Sequence, residues 1–549
     1  MKYLIGLILI LAIAAALRFI NLANTPPSLY WDEVSQAYNS YSILTTGRDE
    51  HGEVFPLARF MAFGDYKAPV YIYLTVPAMA LFGVNEFATR FPSAFFGTLT
   101  VLVTYILILQ LFLKDKNRQL LALSGAVLLA ISPWHIQLSR AAYEANIATF
   151  FTVTGVMFFF LAKNKNSWFY FLSSLSFILG FYAFNAHRIF IPLLVLLLAG
   201  VFYKEIIKSY RHIIVAGVLG IILLIPFISF LTTPESKLRF NEVNIFTDLK
   251  VVKESNDRIE YAGGSLFSKV IDNRRLLFVD EYIKHYFDFF NPKYLFFTGD
   301  ENPRFSLQDN GILYIWEMPL LLIGFYSLAR RKDRISLLIF GWFILAPLGA
   351  ATARETPHAL RALTYIPTYQ IIGGLGLVSL LIFFKNLKYK LFSFSITACF
   401  LIIVIASVFL FLHNYFIHFP KTYASQWQYG YKEAIQEAEK LKNKYDRIII
   451  SDLYGRPYIY TLFYGGITPL EYWASGDVRK DRFGFYNVYK IGKYRFVESS
   501  KIRNISGDKT LFVVGEGEIT GKIKVIKKIN FPTGKIAFLL AEKIPKKIK

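Results

Sequence analysis

The chain has 549 residues, of which 54% are hydrophobic and 17% aromatic while only 18% are charged, and its mean hydropathy is positive; this composition excludes an ordinary water-soluble fold. The formal net charge of +22 is split into short basic clusters between apolar runs. It forms no face or stripe, which excludes nucleic acid as a partner and fits the charge bias of loops on the inner side of a membrane. The single cysteine, Cys399, lies in an apolar run and excludes an intramolecular disulfide and a thiolate metal cluster.

Met1-Lys2 and the apolar stretch behind them read either as a signal peptide cleaved at Ala14-Ala15-Ala16 or as an uncleaved first helix. The run continues to Ile20, broken only by Arg18, and so approaches the span length of about 20 residues, which favours the helix. Further runs of spanning or near-spanning length follow at 90–113, 119–133, 145–162, 167–184, 189–203, 212–231, 312–329, 335–351, 365–384 and 391–412, eleven with the first. With the N-terminus inside, the inner segments 2, 114–118, 163–165, 204–211, 330–334 and 385–390 hold sixteen lysines and arginines, and the opposite short loops hold isolated arginines only. That assignment requires the apolar segment 69–82 to lie along the outer surface and places the C-terminus outside.

Three regions then remain outside the bilayer: a first loop of about 21–89, a long loop of about 232–311, and a tail from about 413. The tail alternates a helical pattern at 431–442 with β-rich segments at 447–450, 511–514 and 536–540, and reads as a small α/β domain without an interpretable motif. The expected protein is a polytopic α-helical membrane protein with about eleven spans in 1–412 and an extracytoplasmic α/β domain in 413–549.

The segment Tyr30-Trp31-Asp32-Glu33-Val34 follows the first span and opens an expected surface helix through Leu44, closed by a turn at Gly47. Adjacent carboxylates at the membrane face can supply a base that takes a proton from an acceptor hydroxyl. The plainer alternative makes Asp32 an N-cap and Glu33 a first-turn acid favoured by the helix dipole. A further acid, Glu144, stands in Ser139-Arg140-Ala141-Ala142-Tyr143-Glu144 at the outer mouth of a span. Arg140 is four residues away, so the two either form a stabilising helical pair or mark a functional site at membrane depth.

Basic residues that break the charge rule gather on the same side: Lys67, His187 and Arg188, then Arg354, His358 and Arg361. Arginine forks and a lysine point charge suit an anionic phosphate head group, and interfacial snorkelling is the alternative for any one of them. The stretch 281–297, rich in Tyr and Phe, either shapes a groove for an acyl or polyprenyl chain at the headgroup boundary or forms an ordinary aromatic belt. The sequence has no D-x-D triplet, phosphate loop, G-x-G-x-x-G or H-E-x-x-H. An outward site without nucleotide machinery fits a lipid-borne donor; no cofactor is specified, no metal ligand is assigned, and a divalent metal is left open.

Trp31-Asp32-Glu33 after the first helix, Lys67-Ala68-Pro69 before an amphipathic segment ending in Leu81-Phe82-Gly83, and Arg90-Phe91-Pro92-Ser93 opening the next span resemble the GT-C glycosyltransferases. The resemblance is to the protein O-mannosyltransferase and lipid A aminoarabinose transferase group, covers most of the membrane part, and extends to Arg354 through Arg361. It implies that Asp32 is the catalytic carboxylate and that Lys67 contacts the carrier phosphate. It departs from the group at Glu144, where Asp is frequent, and the W-W-D pattern of oligosaccharyltransferases is missing.

The expected activity is inverting transfer of a sugar, mannose or a related monosaccharide, from a polyprenyl-phosphate donor to a hydroxyl of a protein, lipid or glycan. Asp32, Glu33 and Glu144 are the expected catalytic acids; Lys67, Arg140, His187, Arg188, Arg354, His358 and Arg361 are the expected binding residues. The expected partners are the lipid-phosphate sugar, a protein or glycolipid acceptor and membrane lipid. A lipid-linked sugar flippase or transporter is the rival from another class, weakened by charges at the outer rim and by the lack of an inverted repeat; a catalytically idle scaffold is a third.

Overall fold

The computed structural model describes residues 1–233, 236, 244–481, 485–505 and 509–544, apart from the side chain of Asp65. In chain order the helices are α1 (Lys2–Phe19), α2 (Trp31–Thr46), α3 (Pro69–Phe82), α4 (Glu86–Leu111), α5 (Arg118–Ile131), α6 (Pro133–Leu138), α7 (Glu144–Asn164), α8 (Phe169–Ala183), α9 (Asn185–Val201), α10 (Tyr203–Lys208) and α11 (Tyr210–Leu231). They continue with α12 (Leu249–Tyr261), α13 (Leu266–Ile271), α14 (Arg274–Asp288), α15 (Glu317–Arg331), α16 (Arg334–Ala350), α17 (Thr368–Asn386), α18 (Lys390–His413), α19 (Tyr431–Leu441), α20 (Pro457–Tyr464) and α21 (Pro469–Ser475). A helix coincides with each of the eleven expected spans, namely α1, α4, α5, α7, α8, α9, α11, α15, α16, α17 and α18. Six described helices are individually long and apolar enough to cross a membrane.

The chain divides into two compact units. The first comprises Met1–Ile20, Ser93–Ser139 and Tyr143–Leu412. Its interior is aliphatic and aromatic, and glycines let helix backbones touch: a Cβ on Gly324 of α15 would stand 1.9 Å from the Ile372 carbonyl oxygen of α17, and one on Gly376 would stand 1.9 Å from that of Leu320. Arg18, which interrupts the first apolar run, is fully buried; it donates to the carbonyls of Ala14, Leu129 and Ala130 and meets His135 Nδ1 at 2.7 Å, tying α1 to α5 and α6. Of the aromatic run 281–297, Tyr294 and Phe296 turn into the core while Phe287 and Phe297 stay exposed. The run is therefore divided between core and surface.

The second unit comprises Asn21–Pro92, Arg140–Ala142 and His413–Lys549. Its seven-stranded sheet has the order β4-β5-β6-β3-β7-β9-β8, with β3 (Arg447–Ser451), β4 (Gly476–Lys480), β5 (Tyr486–Ile491), β6 (Tyr494–Val497), β7 (Thr510–Val514), β8 (Ile523–Asn530) and β9 (Ile536–Lys543). Central β3 runs parallel to β6 and β7 and, like β7, is a continuous buried β-branched and apolar run, as a strand covered on both faces must be. Edge strand β8 carries Lys524, Lys527 and Lys528, which blunt edge pairing. The short pair β1 (Phe60–Ala62) and β2 (Asp65–Lys67) is antiparallel and delivers the chain into α3.

Helix α3, 14 residues long, is the apolar segment 69–82. It packs on α2, where Ser40 donates to the Ile72 carbonyl at 2.9 Å. One face of α2 enters the core of the sheet domain: Val34 and Tyr38 are buried with Ile435, Ile450 and Tyr460, and the Tyr38 hydroxyl donates to the Ile467 carbonyl at 3.1 Å.

Candidate active site

Helix α2 begins where Tyr30 is extended (φ −72°, ψ 154°) and ends at left-handed Gly47 (φ 68°). Its first turn carries both acids, and the structure separates their roles. Glu33 is almost wholly buried and takes four N–H donors: Arg90 Nε at 3.0 Å and the Ala142 amide at 2.8 Å on Oε1, the Tyr30 amide at 2.9 Å and Arg90 Nη2 at 3.1 Å on Oε2. Arg90, fully buried, also donates to the carbonyls of Leu22, Pro26 and Ser28. The capping role considered for Asp32 thus belongs to Glu33, which binds back to the Tyr30 amide. Glu33 was also expected as a catalytic acid; both its oxygens face protein donors in this structure.

Asp32 keeps a side chain 40% exposed, and its Oδ1 lies 2.6 Å from Lys67 Nζ. Lys67, largely buried, is set at the end of β2 with its ammonium 6.0 Å from the Phe63 ring centroid. Trp31 walls the pair. Its amide donates to Gln428 Oε1 at 3.2 Å, its ring packs beside Tyr30 and Phe63, and a Cβ on Gly455 (φ 79°) would stand 2.6 Å from it. The tail adds a cation that the sequence analysis missed: Arg456, exposed and in left-handed conformation (φ 52°), has its guanidinium 5.0 Å from the Phe63 ring. The turn Gly455-Arg456-Pro457 was its only sequence signal.

Arg140 is also in this unit, fully buried, with its guanidinium 4.8 Å from the Phe416 ring and 5.5 Å from the Tyr415 ring, and donates to the Thr25 carbonyl. Of the two alternatives for Arg140 and Glu144, a shared helical face is not present: α7 begins at Glu144 and Arg140 precedes it. The following loop of the unit buries Asp49, whose Oδ1 accepts from the amides of His51 (2.9 Å) and Glu53 (2.8 Å). Burial pushes its carboxyl up to about 6.

The remaining candidates lie in the first unit. Glu144 heads α7 and is within electrostatic reach of Arg188, whose guanidinium sits 4.6 Å over the Phe227 ring. His187 is fully buried beside Phe184 and Phe190, and neither ring nitrogen finds a hydrogen-bond partner among the described residues. His358 is likewise buried, its ring 4.5 Å from that of Phe305 and its Nδ1 3.6 Å from Asp300 Oδ2. Burial, reinforced by Arg361 and Arg304, holds His358 well below the ordinary imidazole range.

Both histidines, expected to bind ligand, sit in aromatic surroundings in this structure. Asp300, given no role from sequence, clamps this loop by accepting from the amides of Ala359 (2.7 Å) and Asn302 (2.8 Å), and burial pushes its carboxyl up to about 6. Arg354 donates to the carbonyls of Asn244 and Thr247, and Arg361 to that of Glu355.

Residues 8–240 match the family described as dolichyl-phosphate-mannose-protein mannosyltransferase, a range that contains Asp32, Lys67, Glu144 and Arg188. No curated protein matches in sequence. Among solved structures, ArnT from Cupriavidus metallidurans is similar in its apo state with a TM-score of 0.53 at 11% identity, over 98% of this chain and 99% of that one. The same protein bound to undecaprenyl phosphate gives 0.51, at the same identity and coverage. The oligosaccharyltransferase AglB from Archaeoglobus fulgidus, in complex with an inhibitory peptide and a dolichol-phosphate, gives 0.51 at 16% identity over 84% of this chain. The chain spans 64% of that structure's length. The resemblance read from the sequence is met: the fold is the GT-C fold, with a C-terminal sheet domain. The family match covers residues 8–240, and the likeness to the solved structures is one of fold.

Proposed function

We propose that this protein transfers a monosaccharide, mannose or a related sugar, from a polyprenyl-phosphate carrier to a hydroxyl of a protein, lipid or glycan acceptor on the extracytoplasmic face. The observation that carries the reading is the 2.6 Å contact between half-exposed Asp32 and Lys67. It joins a carboxylate able to take a proton to a cation able to meet a phosphate. In the proposed step Asp32 accepts the acceptor's hydroxyl proton while that oxygen bonds to the anomeric carbon with inversion. The bond from the anomeric carbon to the phosphate oxygen breaks, and polyprenyl phosphate leaves with the bonding electron pair.

Protonation of Asp32 neutralises the group that holds Lys67, so the ammonium is released toward the departing phosphate as that phosphate gains charge, an electrostatic contribution that can reach several kcal/mol in a water-poor site. Arg456 stands over the same ring as Lys67 and is proposed to share this task. Glu144 and Arg188 are proposed to orient sugar hydroxyls and carrier phosphate, with Arg354 and Arg361 at the loop that follows α16. The N-terminus is proposed to be cytoplasmic and the 413–549 region extracytoplasmic.

The test is transfer of label from polyprenyl-phosphate sugars in proteoliposomes, comparing native protein with Asp32→Asn and Lys67→Met. Transfer by native protein alone, lost with Asp32→Asn, supports the proposal. Substantial turnover by Asp32→Asn sinks the base assignment. Passage of carrier across the bilayer without transfer to any acceptor would replace the proposal with a flippase.

A further inference from the structure

The loop between α11 and α15 is not an extended connection but a helical lobe with an apolar surface that no described residue covers. Helices α12 and α14 are joined by left-handed Gly263 and Gly264 (φ 65° and 66°) and the short α13. The Ser255 hydroxyl donates to the Asp272 carbonyl at 2.6 Å and the Ser268 hydroxyl to its carboxylate at 2.8 Å, so α12 and α13 are knitted into one body.

Helix α14 presents three faces in turn. One packs inward through Leu277, Phe278 and Tyr282. The next carries Leu276, Val279, Ile283 and Phe287, spaced three, four and four residues apart and all about half exposed or more. The third is charged and closed on itself, with Lys284 Nζ 2.7 Å from Asp280. Adjacent α13 exposes Leu266 (83%) and Phe267 (74%), with Val270 and Ile271 on the same short helix.

In water, such a contiguous apolar surface is unfavourable in proportion to its area. Its place identifies what covers it. The Tyr286 hydroxyl donates to the Ile344 carbonyl and that of Tyr282 to the Leu348 carbonyl, both at 3.0 Å, in the last two turns of spanning helix α16. Ile344 is itself half exposed. The stripe on α14 thus stands beside α16, which coincides with one of the expected spans.

We infer that the lobe formed by α12–α14 is inserted in the membrane interface, with Leu266, Phe267 and the apolar stripe of α14 among the acyl chains of one leaflet and the charged edge of α14 at the headgroups. The succession of protein-packed, apolar and charged faces is the geometry of an interfacial helix. The inference requires only that the chain is a membrane protein and is independent of the proposed reaction.

The full-length protein with Cys399→Ser carries single cysteines at Phe267→Cys, Ile283→Cys or Lys250→Cys, the last exposed on the polar side of α12. Each is labelled with nitrobenzoxadiazole and reconstituted in phosphatidylcholine vesicles with iodide on both sides, or with doxyl-labelled lipid. Labels at 267 and 283 are expected to be quenched by the doxyl lipid and several-fold less by iodide than the label at 250. Equal iodide quenching at all three positions overturns the inference. So does shielding of 267 and 283 from both quenchers, which would mean that a second copy of the chain covers the face.

Discussion

Replacing Glu33 with glutamine tests the polar knot under the proposed site. Both carboxylate oxygens accept two N–H donors, Oε1 from Arg90 and Ala142 and Oε2 from Arg90 and Tyr30. Either orientation of the amide therefore turns an NH2 group against two donors, and fully buried Arg90 loses its counter-charge. Breaking one side of a buried ion pair costs about 3–5 kcal/mol, which corresponds to a rise in local opening of roughly a hundred- to a few-thousandfold.

Hydrogen exchange resolved by peptide is the assay, because opening of the knot is local and need not unfold the chain. Amides of Tyr30 and Ala142 should lose protection on that scale while those of β7 in the same unit stay within error of native. Glu33→Gln combined with Arg90→Met should recover part of the loss, since an apolar side chain leaves no stranded charge. Native-like protection at Ala142 in the single variant would refute the assignment of Glu33 as the hub.

Asp49 provides a test by pH. Its folded value of about 6 lies above the ordinary aspartate value of 3.8, so the folded state binds the proton more tightly. Its contribution to stability is therefore greatest below the lower value and falls as pH rises through the upper, by up to about 3 kcal/mol. Asp49→Asn keeps both amide bonds on Oδ1, so the difference in unfolding temperature between variant and native protein should change between pH 4 and 7 in the variant's favour; parallel curves would refute this. Gly455→Ala adds a Cβ 2.6 Å from the Trp31 ring at a positive φ; it should destabilise by about 1–3 kcal/mol, read as a lower unfolding temperature. Gly324→Ala must push α15 from the Ile372 carbonyl 1.9 Å away, and native thermal stability in that variant would contradict the backbone contact.

The spans were legible because an apolar run of about 20 residues leaves the backbone few alternatives in lipid, and a helix falls on every expected one. Asp32 and Lys67 were each singled out by resemblance, not by spacing, and their 2.6 Å contact appears only in the structure. What stayed hidden depended on distance along the chain. Glu33 and Arg90 are 57 residues apart and Glu33 and Ala142 109, so no local pattern distinguishes a hub from a helix-start acid. Strands β4 to β6 and β8 were missed because their Lys, Arg and Tyr residues interrupt the apolar runs of the kind that exposed β3, β7 and β9. The burial of His187 and His358 was equally invisible, since a polar ring inside an aromatic cluster carries no periodic signature.

The three-residue strap Arg140–Ala142 belongs to the unit of the sheet domain although both of its neighbours along the chain belong to the other. Biogenesis inherits a constraint from this. The ribosome releases Glu33 and Arg90 long before Ala142, and the residues that bury Leu29, Val34 and Tyr38, among them Tyr431, Ile450 and Tyr460, come last of all. The segment 21–92 must therefore wait, with its acid and its apolar face uncovered, until residues 431–460 have been made. A chain stopped after 412 would lack the wall against which α2 is set, and the segment 413–549 made alone would expose the surface meant for α2. Neither piece is a natural unit for expression or for evolutionary exchange; the segments around the proposed site are joined only when synthesis is complete.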